Sequence, residues 1–275
     1  MTVAEWESPV PSFVLGVHGV LRWHQWVVDS ERRGGFPQPD EEAVFAVTNT
    51  RAEALGLVAY PTSPNPMARW STEEAGGDWT QDGRVREIAW MQARPLNLAY
   101  QGWPVWPALG CIEDGLRRVG TVEPAGVHAA LPLQLDTHHR QQFTGTYEWF
   151  ELAEQAAARR EFTVSLYTGG DGGVVPQALL RAITERASVL LDVQLAEQPV
   201  VGAVDPDQLE GRWMVDDELH GVHFRCRGPE WSLDMAAFVT DVVADAAKHA
   251  GVARPVLLTA FRAEDENRTA QVGCQ

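Results

Sequence analysis

The stretch LDMAAFVTDVVADAAKHAGVARPVLLTAFR, residues 233–262, decides the fold because it joins a helix to a strand through a glycine. Apolar side chains at helical spacing predict a helix over Leu233 to His249. Gly251 follows this helix, at the place where a left-handed glycine ends many helices. The apolar run Pro255 to Arg262 then predicts a strand.

The same order of elements occurs earlier in the chain, in PALGCIEDGLRRVGTVEPAGVHAALPLQL, residues 107–135. Here a helix is expected over Pro107 to Val119, ended by a left-handed Gly120, and a strand over Gly126 to Leu135. The recurrence predicts two similar halves, each built as strand, helix, two paired strands, two more extended segments, helix, strand.

Each half supplies the remaining elements of this unit. The initial strands are expected at Phe13 to Leu21 and Glu161 to Tyr167, and the helices after them at Arg22 to Arg33 and Pro176 to Ala187. A further extended segment is expected over Glu218 to Arg227. The strand pairs are expected at residues 43–50 with 54–61, and at 187–194 with 199–206.

We therefore predict an α+β fold of two mostly antiparallel sheet-and-helix halves packed about a pseudo-twofold axis. The first half spans residues 1–145, and the second spans residues 146–275 and begins with a bridging helix, Thr146 to Arg160. The first half also carries an extra loop, residues 62–79, which is either a lid or binding loop, as long segments often are, or an insertion without a function. The ligand site is expected in the cleft between the halves.

The composition excludes several classes of function. A formal net charge of -16 argues against nucleic acid and anionic membranes as partners, and leaves plain solubility or a basic protein partner. Lys248 is the single lysine, and its helical setting argues against Schiff-base enzymes and P-loop nucleotide hydrolases. The first ten residues carry two glutamates and no basic residue, which predicts a cytoplasmic protein, and the dominance of arginine suggests a GC-rich bacterial genome.

Metal and nucleophile motifs are not found in the sequence. His220 and His223 are odd-spaced in a predicted strand and therefore point to opposite faces, so they cannot share an ion. The three cysteines form no paired spacing, and Cys111 and Cys226 sit among apolar residues as buried thiols do. We expect neither a metal nor a cofactor, and the alternative that stays open is a metal site assembled from residues far apart in the chain.

Tryptophan is the compositional anomaly, with eleven in 275 residues. Trp23 and Trp26 are three apart and are expected to share a helix face. Aromatic side chains line pockets for flat or apolar ligands and also anchor protein partners. The expected ligand-binding set is a wall made of Trp23, Trp103 and Trp106, covered by a loop that carries Trp70 and Trp79.

Two functions of different classes follow. The first is a metal-free small-molecule-binding protein or enzyme that performs a cyclisation, isomerisation or dehydration in an aromatic-walled pocket. Its acid–base groups are expected to be His18, His24 and Glu87, which all belong to the tryptophan-rich half. The alternative is an adaptor, immunity-type protein or chaperone that binds a basic protein partner through exposed tryptophans.

Overall fold

The computed structural model describes residues 11–34, 41–59, 65–96, 102–135, 150, 159–169, 175–187, 190–197 and 219–263. Five helices and eight strands lie within these ranges. In chain order they are β1 (Phe13–Trp23), α1 (Gln25–Arg32), α2 (Glu41–Ala54), β2 (Trp70–Gly76), β3 (Arg86–Pro95), α3 (Val105–Val119), β4 (Gly120–Pro132), β5 (Arg160–Gly169), α4 (Pro176–Ala187), β6 (Asp192–Ala196), β7 (Leu219–Gly228), α5 (Leu233–His249) and β8 (Pro255–Arg262).

The eight strands form one antiparallel sheet in the order β2-β3-β1-β4-β8-β5-β7-β6. The four strands of the first half and the four of the second follow the same internal order, and the two sets meet where β4 pairs with β8. The mixed α+β architecture and the antiparallel pairing are as predicted. The pseudo-twofold axis and the domain boundaries at residue 145 stay predictions.

One face of the sheet carries the helices. Alternate side chains of the central strands, among them Leu15, Val127 and Leu258, are buried in a single core together with residues from all five helices. Helix α5 lies at the middle of this core and is buried along most of its circumference. Its N-terminus is capped by Ser232, whose hydroxyl accepts a hydrogen bond from the backbone N–H of Met235 at 3.1 Å.

The opposite face, which we call the second face, buries a smaller apolar cluster made of Val14, Ala130, Tyr167, Leu257 and Phe261. These residues alternate along their strands with the side chains of the main core. No described helix contributes a buried residue to this cluster. Side chains on the second face therefore belong to a separate environment from those under the helices.

Two expected strands are wrong. Residues 43–50 belong to helix α2, in which Val44, Thr48 and Ala52 are buried at intervals of four residues, the spacing of one helix face. Residues 54–59 contain only an isolated bridge between Val58 and Trp70. In the second half, the first strand of the expected pair, at residues 187–194, is observed as β6, which begins at Asp192. The second strand of that pair, at residues 199–206, lies outside the described residues.

The extra loop at residues 62–79 is also corrected, because residues 70–76 form β2 at one edge of the sheet. Gly120 does not end α3 in a left-handed conformation, since its φ of -168° is extended and it begins β4 directly. Gly251, with φ of +91°, adopts the left-handed conformation expected of it. The bridging helix at residues 146–160 lies outside the described residues apart from Phe150, Arg159 and Arg160.

Candidate functional site

Strand β1 changes register against both of its neighbours at His18. Val17 pairs with Ala89 while His18 pairs with Glu87, so β3 has one extra residue here. On the other side His18 pairs with Gly126 while Gly19 pairs with Pro124, so β4 has one extra residue as well. Such bulges re-aim side chains and are frequent beside functional sites.

The bulges bring together three side chains that we call the His–Glu cluster: His18 on β1, Glu87 on β3 and His128 on β4. The Nε2 atom of His18 lies 2.9 Å from the Nδ1 atom of His128, which is a hydrogen bond between the two rings. The Nε2 atom of His128 lies 3.7 Å from Oε1 of Glu87, within ion-pair distance but longer than a direct hydrogen bond. The predicted catalytic residues His18 and Glu87 thus meet, through a third residue.

The cluster is buried on one side and accessible on the other. His128 is 1% exposed and His18 is 9% exposed, whereas the Glu87 side chain keeps 22% of its surface accessible. The His128 ring lies against the α-carbon of Gly16, where an added Cβ would come within 2.1 Å of the ring. On the opposite side, Phe261 packs against the His18 ring with centroids 5.3 Å apart. Solvent therefore reaches this cluster from the Glu87 side.

These contacts form a path along which a proton can move. A neutral imidazole has one donor and one acceptor nitrogen, and the protonated ring has two donors. A protonated His128 can donate to His18 and face Glu87 at once, so the carboxylate balances its charge. The same three groups are ligand types for a divalent metal, and one ligand atom from each lies within 4.8 Å of the others. The set is thus suited to general acid–base chemistry or to metal binding.

His24, the third predicted catalytic residue, is not part of the cluster. It is the N-cap residue of α1, and its Nε2 atom contacts the backbone oxygen of Arg117 at 3.2 Å. The structure therefore gives His24 a position at a helix start, away from the two histidines on the second face.

The predicted ligand-binding tryptophans belong to the main core, on the helix side of the sheet. Trp70 is 0% exposed, and Trp79 is 6% exposed with its indole N–H donated to the backbone oxygen of Ile88 at 2.8 Å. Trp103 is buried beside Phe13, while Trp23 and Trp106 are half-buried against the same core. The structure thus separates these five residues from the His–Glu cluster, because they pack in or against the main core on the helix side while the cluster lies on the second face.

The shared helix face expected for Trp23 and Trp26 is wrong. Trp23 is the last residue of β1, whereas Trp26 lies in α1 and is 49% exposed. Trp26 stands at a groove of about 1020 Å³ between α1, α2 and α3. Its charged lining residues are Arg51, Asp114, Arg117 and Arg118.

The sequence reasoning missed His128 and Trp90. Trp90 is half-buried and pairs with Gly16, the residue that also pairs with His128, so it is an aromatic neighbour in register with the cluster. The signal that was available for His128 is the tripeptide Gly-Val-His, which occurs at residues 16–18, 126–128 and 221–223. All three copies lie in strands and place histidine on the second face, with the adjacent valine facing the helices.

The third copy forms a different arrangement in the second half. The Nδ1 atom of His223 lies 2.8 Å from the hydroxyl of Ser165, and the His223 ring packs edge-on against Tyr167. His220 lies on the other face, so the prediction that these two histidines diverge is confirmed. Burial lowers the pKa of His223 below its ordinary value.

The described cysteines are not nucleophiles. Burial, followed by the Asp114 carboxylate, raises the pKa of Cys111 to about 11. Burial alone raises the pKa of Cys226 to about 12. Both thiols are therefore protonated near neutral pH and behave as small core residues, as the sequence predicted.

Comparisons with known proteins identify no family. No family model matches the chain, and no curated protein matches it. One solved structure, described as a Cas6 (TTHB231) product complex, is 12% identical with a TM-score of 0.18, covering 86% of this chain and 93% of the other. A likeness of this size supports no argument about fold or function. No helix in the described part of the chain is long and apolar enough to cross a membrane.

Proposed function

We propose that this protein is a small-molecule-binding protein or enzyme whose reactive groups are His18, Glu87 and His128. The observation that carries the proposal is the hydrogen bond of 2.9 Å between two largely buried imidazoles, next to a partly exposed carboxylate. Such a set can take a proton from one atom of a bound molecule and return one to another.

Redox-neutral reactions that need only this transfer are isomerisation, dehydration and cyclisation. Glu87 has the most accessible side chain of the three, so it is the group that meets the ligand. His128 passes the proton between Glu87 and His18, whose ring is held by Phe261. The proposed ligand therefore binds on the second face beside Glu87.

This placement revises the pocket that the sequence suggested. A pocket walled by Trp23, Trp103 and Trp106 between the halves would lie on the helix side of the sheet. The proposed site instead has Trp90 as its aromatic neighbour. The pseudo-twofold arrangement of the halves and the cytoplasmic location remain predictions that this proposal does not require.

The test is a ligand search on the full chain with matched variants. Native mass spectrometry of the protein purified from its own source, compared with the denatured mass, reports any small molecule that it retains. The same measurement on Glu87→Gln and His18→Asn should show the retained mass reduced by tenfold or more.

His24→Asn is the matched control, since it removes a histidine of the same half that lies outside the cluster. It should retain the molecule at the wild-type level. A ligand that stays bound at equal occupancy in all three variants would place the site elsewhere and overturn the proposal.

A second candidate function is the protein-binding adaptor, favoured by the groove that exposes Trp26. Arg51 and Arg117 are paired with Asp114 and Glu113, at 2.6 and 2.5 Å. The groove lining holds three arginines and one aspartate, so it suits an acidic segment, the opposite of the basic partner inferred from overall charge.

Partner capture distinguishes this candidate. Replacement of Trp26 by alanine should release a bound polypeptide, because exposed tryptophans contribute much of the binding energy at such surfaces. Met67→Ala, which alters an exposed apolar residue outside the groove, is the control and should leave binding unchanged.

A further inference from the structure

We propose that His18, Glu87 and His128 bind one divalent transition-metal ion, with Zn²⁺ preferred over Mg²⁺ and Ca²⁺. This inference goes beyond the proposed proton transfer and does not depend on it. It contradicts the sequence-based expectation of no metal, which rested on spacing along the chain and could not register residues from three separate strands.

The ligand chemistry selects the class of ion. Two imidazole nitrogens and one carboxylate oxygen form a set found in catalytic zinc sites, where a fourth position stays open for water or substrate. Calcium and magnesium prefer sites built entirely from oxygen atoms. The two histidines therefore favour Zn²⁺ or Co²⁺.

The geometry requires one side-chain rearrangement. Ligand atoms at about 2.0–2.1 Å from a tetrahedral zinc lie roughly 3.3 Å from one another. Here one ligand atom from each residue lies within 4.8 Å of the others. Nδ1 of His128 already faces Nε2 of His18 at 2.9 Å, whereas Glu87 lies 3.7 Å from the other nitrogen of that ring, so one ion requires the Glu87 side chain to swing toward the Nδ1 edge. The half-buried Glu87 has room for this movement, while burial holds His128 in place.

The scaffold around the three residues favours a fixed site. Strands β3, β1 and β4 are adjacent in the sheet, so backbone hydrogen bonds on both sides of β1 hold the spacing of the ligands. Glycine at position 16 leaves the space that the His128 ring occupies. The Glu87 side chain, which is 22% accessible, provides an entry path for the ion.

An ion bound here occupies the nitrogen lone pairs that the proposed proton transfer would use. The metal-loaded and metal-free chains would then differ in activity, so the metal content has to be controlled in any assay of this protein.

The test uses the full, untagged chain after chelator treatment and dialysis. Titration with Zn²⁺ in a calorimeter should give one site per chain, and Co²⁺ should develop the visible absorption of a tetrahedral nitrogen and oxygen site. Glu87→Gln and His18→Asn should each weaken Zn²⁺ binding by at least about tenfold, and the double variant should abolish it.

Two controls test whether any loss of Zn²⁺ binding comes from a damaged fold, and whether histidines outside the cluster bind the ion. His24→Asn and His223→Gln remove histidines outside the cluster and should bind Zn²⁺ as the wild type does. Circular dichroism of Glu87→Gln, altered at the most accessible of the three side chains, checks that the fold is intact.

Wild-type protein that binds no Zn²⁺, or a folded double variant that binds it with unchanged affinity, would overturn the metal site. In that case a small molecule retained by wild type and lost in Glu87→Gln would still support the proton-transfer function. The two proposals can therefore fail separately.

Discussion

The first and second halves of the sheet use the same tripeptide to build different environments. In the first half, two Gly-Val-His segments bring His18 and His128 into contact beside Glu87. In the second half, the third segment places His223 against Ser165, a neutral hydroxyl. The first arrangement has two imidazoles and a carboxylate, and the second has one imidazole.

Burial differs as well. His128 is 1% exposed, whereas His223 is half-buried on the penultimate strand of the sheet. A buried group is held in one place and retains strong interactions with its neighbours, whereas a half-exposed group can turn toward water. The comparison teaches that position on a central strand, more than the local sequence, decides whether a histidine contacts a second imidazole and a carboxylate.

The largest effect is expected when Gly16, which makes room for the His128 ring, is replaced in the first half. Gly16→Ala places a Cβ 2.1 Å from Cε1 of the His128 ring, which has no room to move. We expect this substitution to lower the free energy of unfolding by about 2–3 kcal/mol and to abolish binding of Zn²⁺ or ligand. Urea denaturation and calorimetry measure the two effects.

Gly221→Ala is the matched substitution in the second half. Its Cβ would lie 2.8 Å from the half-buried ring of His223, which can turn toward water, and 3.1 Å from Cε1 of Tyr167. The change in free energy of unfolding should stay within about 1 kcal/mol, because alanine also restricts the unfolded chain. Equal losses from both variants would contradict the difference in rigidity between the halves.

A smaller effect is expected when the His223 contact is removed. Ser165 is 2% exposed and its hydroxyl lies 2.8 Å from Nδ1 of His223. Ser165→Ala should lower the free energy of unfolding by about 1 kcal/mol, the usual net value of one hydrogen bond. Chemical denaturation checks this, with Thr184→Ala as the control, whose hydroxyl bonds Leu180 on an exposed helix surface.

The smallest expected effect is the contribution of His223 to the pH dependence of the free energy of unfolding. Burial holds the pKa of His223 below its ordinary value near 6.5, so the unfolded chain binds more protons than the folded chain around that pH. The stability associated with this residue is therefore present above the ordinary pKa and is lost as the pH falls below it. His223→Gln should lose less stability than wild type between about pH 7 and pH 5.

Thermal unfolding across this pH range measures the difference. His24→Asn serves as the comparison variant, since it removes a histidine at a helix start. A steeper loss in His223→Gln than in wild type would mean that the protonated ring is stabilised in the folded state, contrary to the cause assigned here.

Much of the fold follows from local patterns. Helices α3, α4 and α5 and strands β1, β5, β7 and β8 lie within a few residues of their predicted positions. Helix α2 was misread because Val44 to Val47 is a short apolar run, and such runs fit a buried strand as well as a helix. The edge strand β2 was missed because its sequence, WSTEEAG, has charge and glycine in place of alternation.

The site was predicted only in part. The sequence predicts His18 and Glu87 as acid–base groups because they belong to the tryptophan-rich half, yet the five predicted ligand-binding tryptophans pack on the other face. Their meeting depends on His128, which lies 110 residues from His18 in the chain. No spacing rule within one segment links residues that far apart.

The sequence alone determined the α+β class, most helix and strand positions, and the inert state of Cys111 and Cys226. These follow from side-chain periodicity and hydrophobicity, which act over a few residues. Tertiary structure alone decided which strands lie side by side, where the bulges beside His18 fall, and on which face the five predicted ligand-binding tryptophans pack. Those features depend on pairing between distant strands, and that pairing is what brings two histidines and a glutamate together.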